Sequence, residues 1–541
     1  MTASEFDFII IGAGSAGCVL ADRLTANGNN KVLLIEAGGS DAKFWIKVPL
    51  GYGMTYADPK LNWGYNTQPD PGLKSRSIYW PRGKVIGGSS SINAMTYVRG
   101  LPQDFQDWET SGATGWGWDN VRRTYERLET SSELSPDGVP QKYGSGSLWV
   151  SDLSDQMNPF SRRFLQAAND LGWPITENMN GARPEGLSPY RSNVRNGRRW
   201  SAADAFLRPA RRRRNLKVVT GALVEKLVIK EGRATSVRYK LGNQTMIAHA
   251  IREVIVSAGA INSPQLLQLS GIGPAEHLRA HGIEVHQDLG EVGKGLQDHL
   301  AISYHFRATE PTLNNILGNR RGQLLAGLKY MLTRRGPLAV PVNQVGGFLR
   351  TDRTKNTPDV QLFCNPATYS TRETGKVVID RVPGFLLSAQ PCRPTSRGSV
   401  RIQSAKVADA PVIEPNSLAT ESDRDMVLRA GRLLRELALS PTLAGVTKER
   451  KSPDLIRMDD DEMRDDFRAR ASTVFHPTCT CRMGRSAADS VLDARLRVHG
   501  VRGLRVVDAS AFPNITSGNT NAPTMMLALR AADLILEDAR T

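Results

Sequence analysis

The chain has 541 residues, 40% of them hydrophobic and 23% charged, which excludes fibrous, low-complexity and disordered classes and predicts two to four domains' worth of core. Its formal charge of +16 comes from 70 scattered Lys and Arg. The one dense cluster, Arg208, Arg211, Arg212, Arg213, Arg214 and Lys217, lacks interleaved aromatics and matches no nucleic-acid-reading motif, so a solvated turn is expected there.

Five cysteines are too few and odd in number for a disulfide framework, and a reducing compartment, the cytoplasm, is expected. Glu5 and Asp7 at the start do not fit a secretory leader, and no window has the ~18 apolar residues of a membrane span.

In chain order, residues 6–11 read as a short buried strand, 12–17 as a glycine turn, 16–26 as a helix and 31–35 as a second strand ending at Glu36. Residues 41–115, rich in Gly, Pro, Trp and Tyr, read as extended loops wrapped over something. Helices are expected at 120–128, 160–171, 423–439 and 523–537. Strands are expected at 216–219, 222–229, 235–240 and 253–257, and in a later sheet-rich region at 359–363, 385–389 and 398–402. No repeat or flexible linker divides the chain, so a second domain must be woven into the first.

The opening β-α-β carries GAGSAG at 12–17. Gly12 permits a tight turn, Gly14 lets backbone amides approach a pyrophosphate, and Gly17 lets helix and strand pack closely. The helix start at Ser15 and Ala16 favours negative charge, and Glu36, followed by Ala37, stands where an acid binds adenosine ribose hydroxyls. That motif alone does not separate FAD from NAD.

Further motifs follow: RGKVIGGSSSIN at 82–93, GAINSPQLLQLSGIG at 259–273, HPTCTCRMG at 476–484, VDAS at 507–510 and SGNTNAPT at 517–524. In this order the set resembles the glucose–methanol–choline (GMC) oxidoreductases along essentially the whole chain, closest to the bacterial choline, sorbose and polyethylene-glycol dehydrogenase branch. The resemblance implies an α/β fold: a Rossmann-type FAD domain from residues 1–155, 191–300 and 468–541, interwoven with an antiparallel-sheet substrate domain from 156–190 and 301–467.

The same resemblance implies that Gly87, Gly88 and Ser89 run under the flavin, with Asn93, Ala94 and Met95 at its ring. Val224 would meet adenine, Ala258 and Gly259 the diphosphate, and Asp508 and Ala509 the ribityl end, with Thr520 also among the cofactor-binding residues. Ile92 stands where members with covalent flavin carry histidine, so non-covalent FAD is expected. His476 and Asn519 would converge at the flavin, His476 as the base and Asn519 as a donor to the substrate oxygen. An imidazole of ordinary pKa, about 6.5, suits the base. Val342, Asn343 and Gln344 are the substrate wall by analogy.

The implied activity is oxidation of an alcohol, or hydrated aldehyde, with oxygen, a quinone or another carrier as electron acceptor. No carboxylate-and-aromatic cage for choline is locatable, so a neutral or acidic alcohol is expected over a choline-specific enzyme. A non-redox hydroxynitrile lyase or photodecarboxylase type stays as an alternative. His299, in Gln297-Asp298-His299, reads as structural. The pattern His476-x-x-Cys479-x-Cys481 lacks the four ligands of a closed zinc site, and a Cys479–Cys481 disulfide would be strained, so no metal and two buried thiols are expected.

Overall fold

The computed structural model describes residues 4–134, 140–371 and 377–540. Apolar β-branched runs form the first sheet. Its order is Leu216–Thr220, Val32–Glu36, Ser4–Ile11, Gln244–Val256, Arg233–Leu241 and Ala222–Lys230. The first four strands are mutually parallel, and Leu504–Val506 adds to Gln244–Val256 in the same sense. The last two strands return antiparallel as a meander.

The helix Ser15–Thr25 packs on this sheet together with the C-terminal helix Asn521–Asp538, around a core that includes Ile9, Leu20, Leu34, Val254 and Met525. Expected boundaries here differ by a residue or two, except in Gln244–Val256. Its first half is an exposed hairpin arm of alternating residues, and only its apolar end, from Glu253, was legible as a strand.

The second sheet is antiparallel, in the order Val345–Leu349, Val360–Asn365, Gly384–Pro391, Leu300–Ala308 and Thr447–Arg450. The helix Glu421–Leu439 covers it through Val427, Leu428 and Leu434, and starts where Thr420 Oγ1 accepts from Asp423 N. The short strand Ser472–Thr473 also joins this sheet, pairing with Leu300 and Ala301. That crossing carries the chain from the second sheet directly to His476.

Among the described residues, four helices of nine or more residues were not expected, one of them Asp460–Arg470. Pro102–Thr110 interrupts the loop-rich stretch, Gly259–Leu269 contains Pro264 and is buried on nearly every side, and Arg320–Thr333 points leucines outward. Gly259–Leu269 and Arg320–Thr333 lack the one-sided apolar stripe facing a core that marks an ordinary surface helix, and the other two reduce it to a single pair, Phe105 with Trp108 and Met463 with Phe467. In the basic cluster, Arg213 bonds to Asp22 at 2.8 Å and Arg208 to Asp204 at 2.9 Å, while Arg211, Arg212 and Arg214 are exposed.

Candidate active site

Between the two sheets lies a cavity of about 1540 Å³. At one end the parallel strands finish in glycine turns. Gly12 has φ +99°, and a Cβ there would stand 2.4 Å from Ser257 O. Gly88 has φ +53°, and its Cβ would meet Gly14 Cα at 2.7 Å. The two glycine motifs therefore touch through bare backbone, and any side chain at Gly88 would drive them apart.

Glu36 is buried at this end. Its Oε2 accepts from Ala13 N at 2.8 Å and its Oε1 from Gly38 N at 2.7 Å. Burial raises its carboxyl to about 7, against the opposing effect of those two amides and Lys84. Each oxygen keeps one lone pair for a further donor.

Gly12, Gly14, Ser15, Ala16, Glu36, Ala37, Gly88, Ser89, Asn93, Ala94, Met95, Val224, Ala258, Gly259, Asp508, Ala509 and Thr520 all line the cavity. Gly17 and Gly87 do not. Gly17 packs against Gly12 O, as a helix–strand contact requires, and Gly87 N donates to Ala13 O at 2.7 Å. The Asp508 carboxylate is committed within the chain, accepting from Gly259 N, Ser263 Oγ, Ser510 N and Ser510 Oγ. It braces the loop instead of reaching outward.

His476 and Asn519 meet at the wall between the glycine end and the second sheet, with Asn519 Nδ2 3.2 Å from His476 Nε2. The His476 backbone is fixed from the facing segment: Asp298 Oδ1 accepts from His476 N at 2.7 Å, and Asp298 Oδ2 accepts from Thr473 Oγ1. Arg82 Nη2 donates to Phe475 O at 2.6 Å. Burial pushes Asp298 up to about 6 and Arg82 down to about 10.

His299 does more than the structural part expected of it. Its Nε2 lies 2.7 Å from Cys392 O, which can only accept, so Nε2 carries the proton. Burial holds His299 down at about 4, so the ring is neutral and its Nδ1 has a free lone pair. That Nδ1 is 3.1 Å from His476 Nδ1. His476 must therefore donate from Nδ1, leaving the Nε2 lone pair facing Asn519 and the cavity. Burial, then His299 and Arg82, hold the His476 imidazolium well below its ordinary range.

Asn519 is oriented in turn. Gln361 Nε2 donates to Asn519 Oδ1 at 3.4 Å, and Gln390 Nε2 donates to Gln361 Oε1 at 3.2 Å. Gln361 and Gln390 are buried register partners on adjacent strands of the second sheet. Sequence reasoning missed both, although a glutamine inside VQLFCN was the available signal.

Of the expected substrate wall, Val342 and Asn343 line the cavity. Gln344 is a correction: it is buried behind the wall, its Oε1 accepting from Asn158 N and Ser161 Oγ at 2.8 Å each, because the register of Val345–Leu349 turns it inward. The far end also gathers Tyr52, Tyr56, Phe363 and Tyr369, aromatics the sequence did not bring together, beside Arg320 and Arg381. Among the described residues lining the cavity, the carboxylates are Glu36 and Asp508, both at the glycine end. Cys479 and Cys481 are free, buried thiols raised by burial, Cys479 to about 12. Among the described residues no group of three or more His, Cys, Asp or Glu is placed to hold a metal.

The GMC oxidoreductase family models match residues 6–301 and 394–528. The chain belongs to the GMC oxidoreductases. An alcohol dehydrogenase [acceptor] from Pseudomonas putida is 40% identical over 98% of this GMC chain and 96% of its own. A mitochondrial choline dehydrogenase of Mus musculus is likewise 40% identical, over 98% of this chain and 89% of its own. The crystal structure of pyridoxine 4-oxidase from Mesorbium loti superposes with a TM-score of 0.86 at 32% identity, covering 97% of this chain and 98% of that one.

Proposed function

We propose that this GMC oxidoreductase, an FAD-dependent enzyme acting on CH–OH groups, oxidises a neutral primary alcohol of apolar character with His476 Nε2 as proton acceptor. The residues present suit FAD. The touching glycine turns leave room for a flat, charged backbone-bound group, and the amides opening Ser15–Thr25 lack intrahelical partners. Ser257 Oγ is buried at a strand end in the same wall without a partner, and Glu36 retains lone pairs for ribose hydroxyls. Ile92 offers no atom for a covalent link, so the flavin is held without one.

Bound FAD supplies the two-electron acceptor that takes a hydride from the carbinol carbon. The hydroxyl proton goes to His476 Nε2, whose lone pair the His299 contact aims into the cavity. Asn519 Nδ2 donates to the same substrate oxygen and holds it while the proton leaves. Electrons and protons balance as alcohol to aldehyde, one hydride and one proton. The electron acceptor that later reoxidises the enzyme, oxygen, quinone or another carrier, is a separate choice.

The observation that carries the reading is the fixed tautomer of His476 beside Asn519. The substrate class rests on a different one: aromatic and aliphatic walls with two arginines and no carboxylate at the described far end, which gives a quaternary ammonium rings but no counter-charge. Anaerobic flavin bleaching across alcohol classes tests it. Aliphatic or aryl primary alcohols should bleach the flavin at lower concentration than choline, and a preference for choline would refute the substrate class.

A further inference from the structure

The helix Arg320–Thr333 forms part of the far wall of the cavity, and its inner face is ordinary: Ala326 and Tyr330 are buried. Its outer face is not. Leu324 is 73% exposed, Leu325 65%, Leu328 55% and Leu332 76%. At 100° per residue these four fall in one stripe opposite Ala326 and Tyr330. Phe44, Trp45 and Met54, also exposed, line the cavity that the other side of this helix lines. Contiguous exposed leucines of this kind mark a binding surface.

The charges around the stripe say what binds. Residues 311–351 contain no Asp or Glu, while Arg320, Arg321, Lys329, Arg334 and Arg335 bracket the leucines. Arg334 is drawn over the Tyr330 ring, and Arg335 reaches Asp155 at 3.3 Å. Arg320, Arg321 and Lys329 are exposed. A second copy docking here would set these cations against their own duplicates. An anionic bilayer instead offers hydrocarbon for the leucines and phosphate for the rim, with aromatics suited to its interface. Fourteen residues are too few to span a membrane but enough to lie on one, and no helix among the described residues is long and apolar enough to cross.

We infer that the leucine face of Arg320–Thr333, ringed by arginine and lysine, seats the cavity mouth on an anionic lipid surface. If the proposed alcohol oxidation holds, the position lets alcohols dissolved in the bilayer enter without crossing water. The docking itself is independent of that reading.

Sedimentation of the FAD-loaded enzyme with vesicles tests it, using phosphatidylcholine alone and phosphatidylcholine containing phosphatidylglycerol. The enzyme should pellet with the anionic vesicles, less so at high salt. The fourfold variant Leu324→Gln, Leu325→Gln, Leu328→Gln, Leu332→Gln should bind them at least roughly tenfold more weakly. Because those leucines do not line the cavity, its flavin content and its turnover of a short water-miscible alcohol should be unchanged. Arg321→Gln with Lys329→Gln should weaken anionic-vesicle binding roughly tenfold and leave neutral-vesicle binding as it was.

An enzyme that stays in the supernatant with both vesicles overturns the inference, as does a fourfold variant that still pellets. A concentration-dependent dimer that the fourfold variant disperses would assign the face to a second copy instead. Vesicles should also speed turnover of a long-chain alcohol in the parent and not in the fourfold variant. If no alcohol of any length is turned over while vesicle binding follows the pattern above, the proposed function fails and the docking stands.

Discussion

At the glycine end of the cavity the walls are backbone. Gly12, Gly14 and Gly88 bring main-chain atoms into contact, and even the two acids there, Glu36 and Asp508, spend most of their oxygens on amides and hydroxyls of the chain. At the His476 end the walls are side chains from distant segments, each held by the next: His299 on His476, Gln390 on Gln361, Gln361 on Asn519. A backbone cradle can only hold a ligand of fixed shape. A side-chain relay can set which nitrogen carries a proton, and that is what the proposed base needs. Substitutions should separate the two accordingly, into holding without reacting and reacting without holding.

The largest effect belongs to His476→Ala, which removes the proposed proton acceptor. It should keep its flavin and reduce it about 10²- to 10⁴-fold more slowly, read by stopped-flow under anaerobic conditions. Asn519→Ala should lose less, since in the proposed mechanism His476 still contacts the substrate oxygen. The opposite signature is expected of Glu36→Gln. An amide presented to the two N–H groups of Ala13 and Gly38 satisfies only one of them and costs a charge-assisted bond, so FAD affinity should fall about 10- to 150-fold. Flavin titration of the apoprotein measures that, and the saturated variant should reduce its flavin at near-parent rates.

His299→Leu tests the relay itself. It leaves the His476 Nδ1–H buried without an acceptor and frees the ring to turn, so reduction should slow roughly 10- to 100-fold with full flavin content. His299→Gln, whose amide oxygen can accept from Nδ1, should recover much of that loss. A purely structural His299 would not show this rescue. The smallest effect is expected of Gln361→Leu, which removes one neutral hydrogen bond to Asn519 and should slow reduction about 2- to 10-fold.

The same contrast explains what could be read before the fold was known. The glycine end is encoded locally: Gly12, Gly14, Gly17 and Glu36 occupy one β-α-β unit, and their spacing follows from the geometry of that unit. The reactive end depends on strand register. His299 reaches His476 because the chain through Asp298 runs antiparallel to the chain through Val474, and Gln361 reaches Asn519 because it faces Gln390 across a pair of buried strands. No local pattern states that register. Gln344 shows the same lesson in reverse: its neighbours Val342 and Asn343 line the cavity, but the start of the next strand turns it into the core.

The central claim is that His476 Nε2, held as the neutral base by His299, accepts the substrate proton. The most direct test is the rate of flavin reduction at saturating alcohol as a function of pH, in the parent and in His476→Ala. A base protonated below its pKa loses activity as pH falls through that pKa. Burial and the neighbouring His299 and Arg82 depress the His476 pKa, so the acid limb of the parent should lie below the ordinary histidine value of about 6.5. The rate should be flat through neutrality, and the limb should vanish in the slow His476→Ala variant. An acid limb that persists unchanged in His476→Ala, or near-parent reduction rates in that variant, would contradict the assignment.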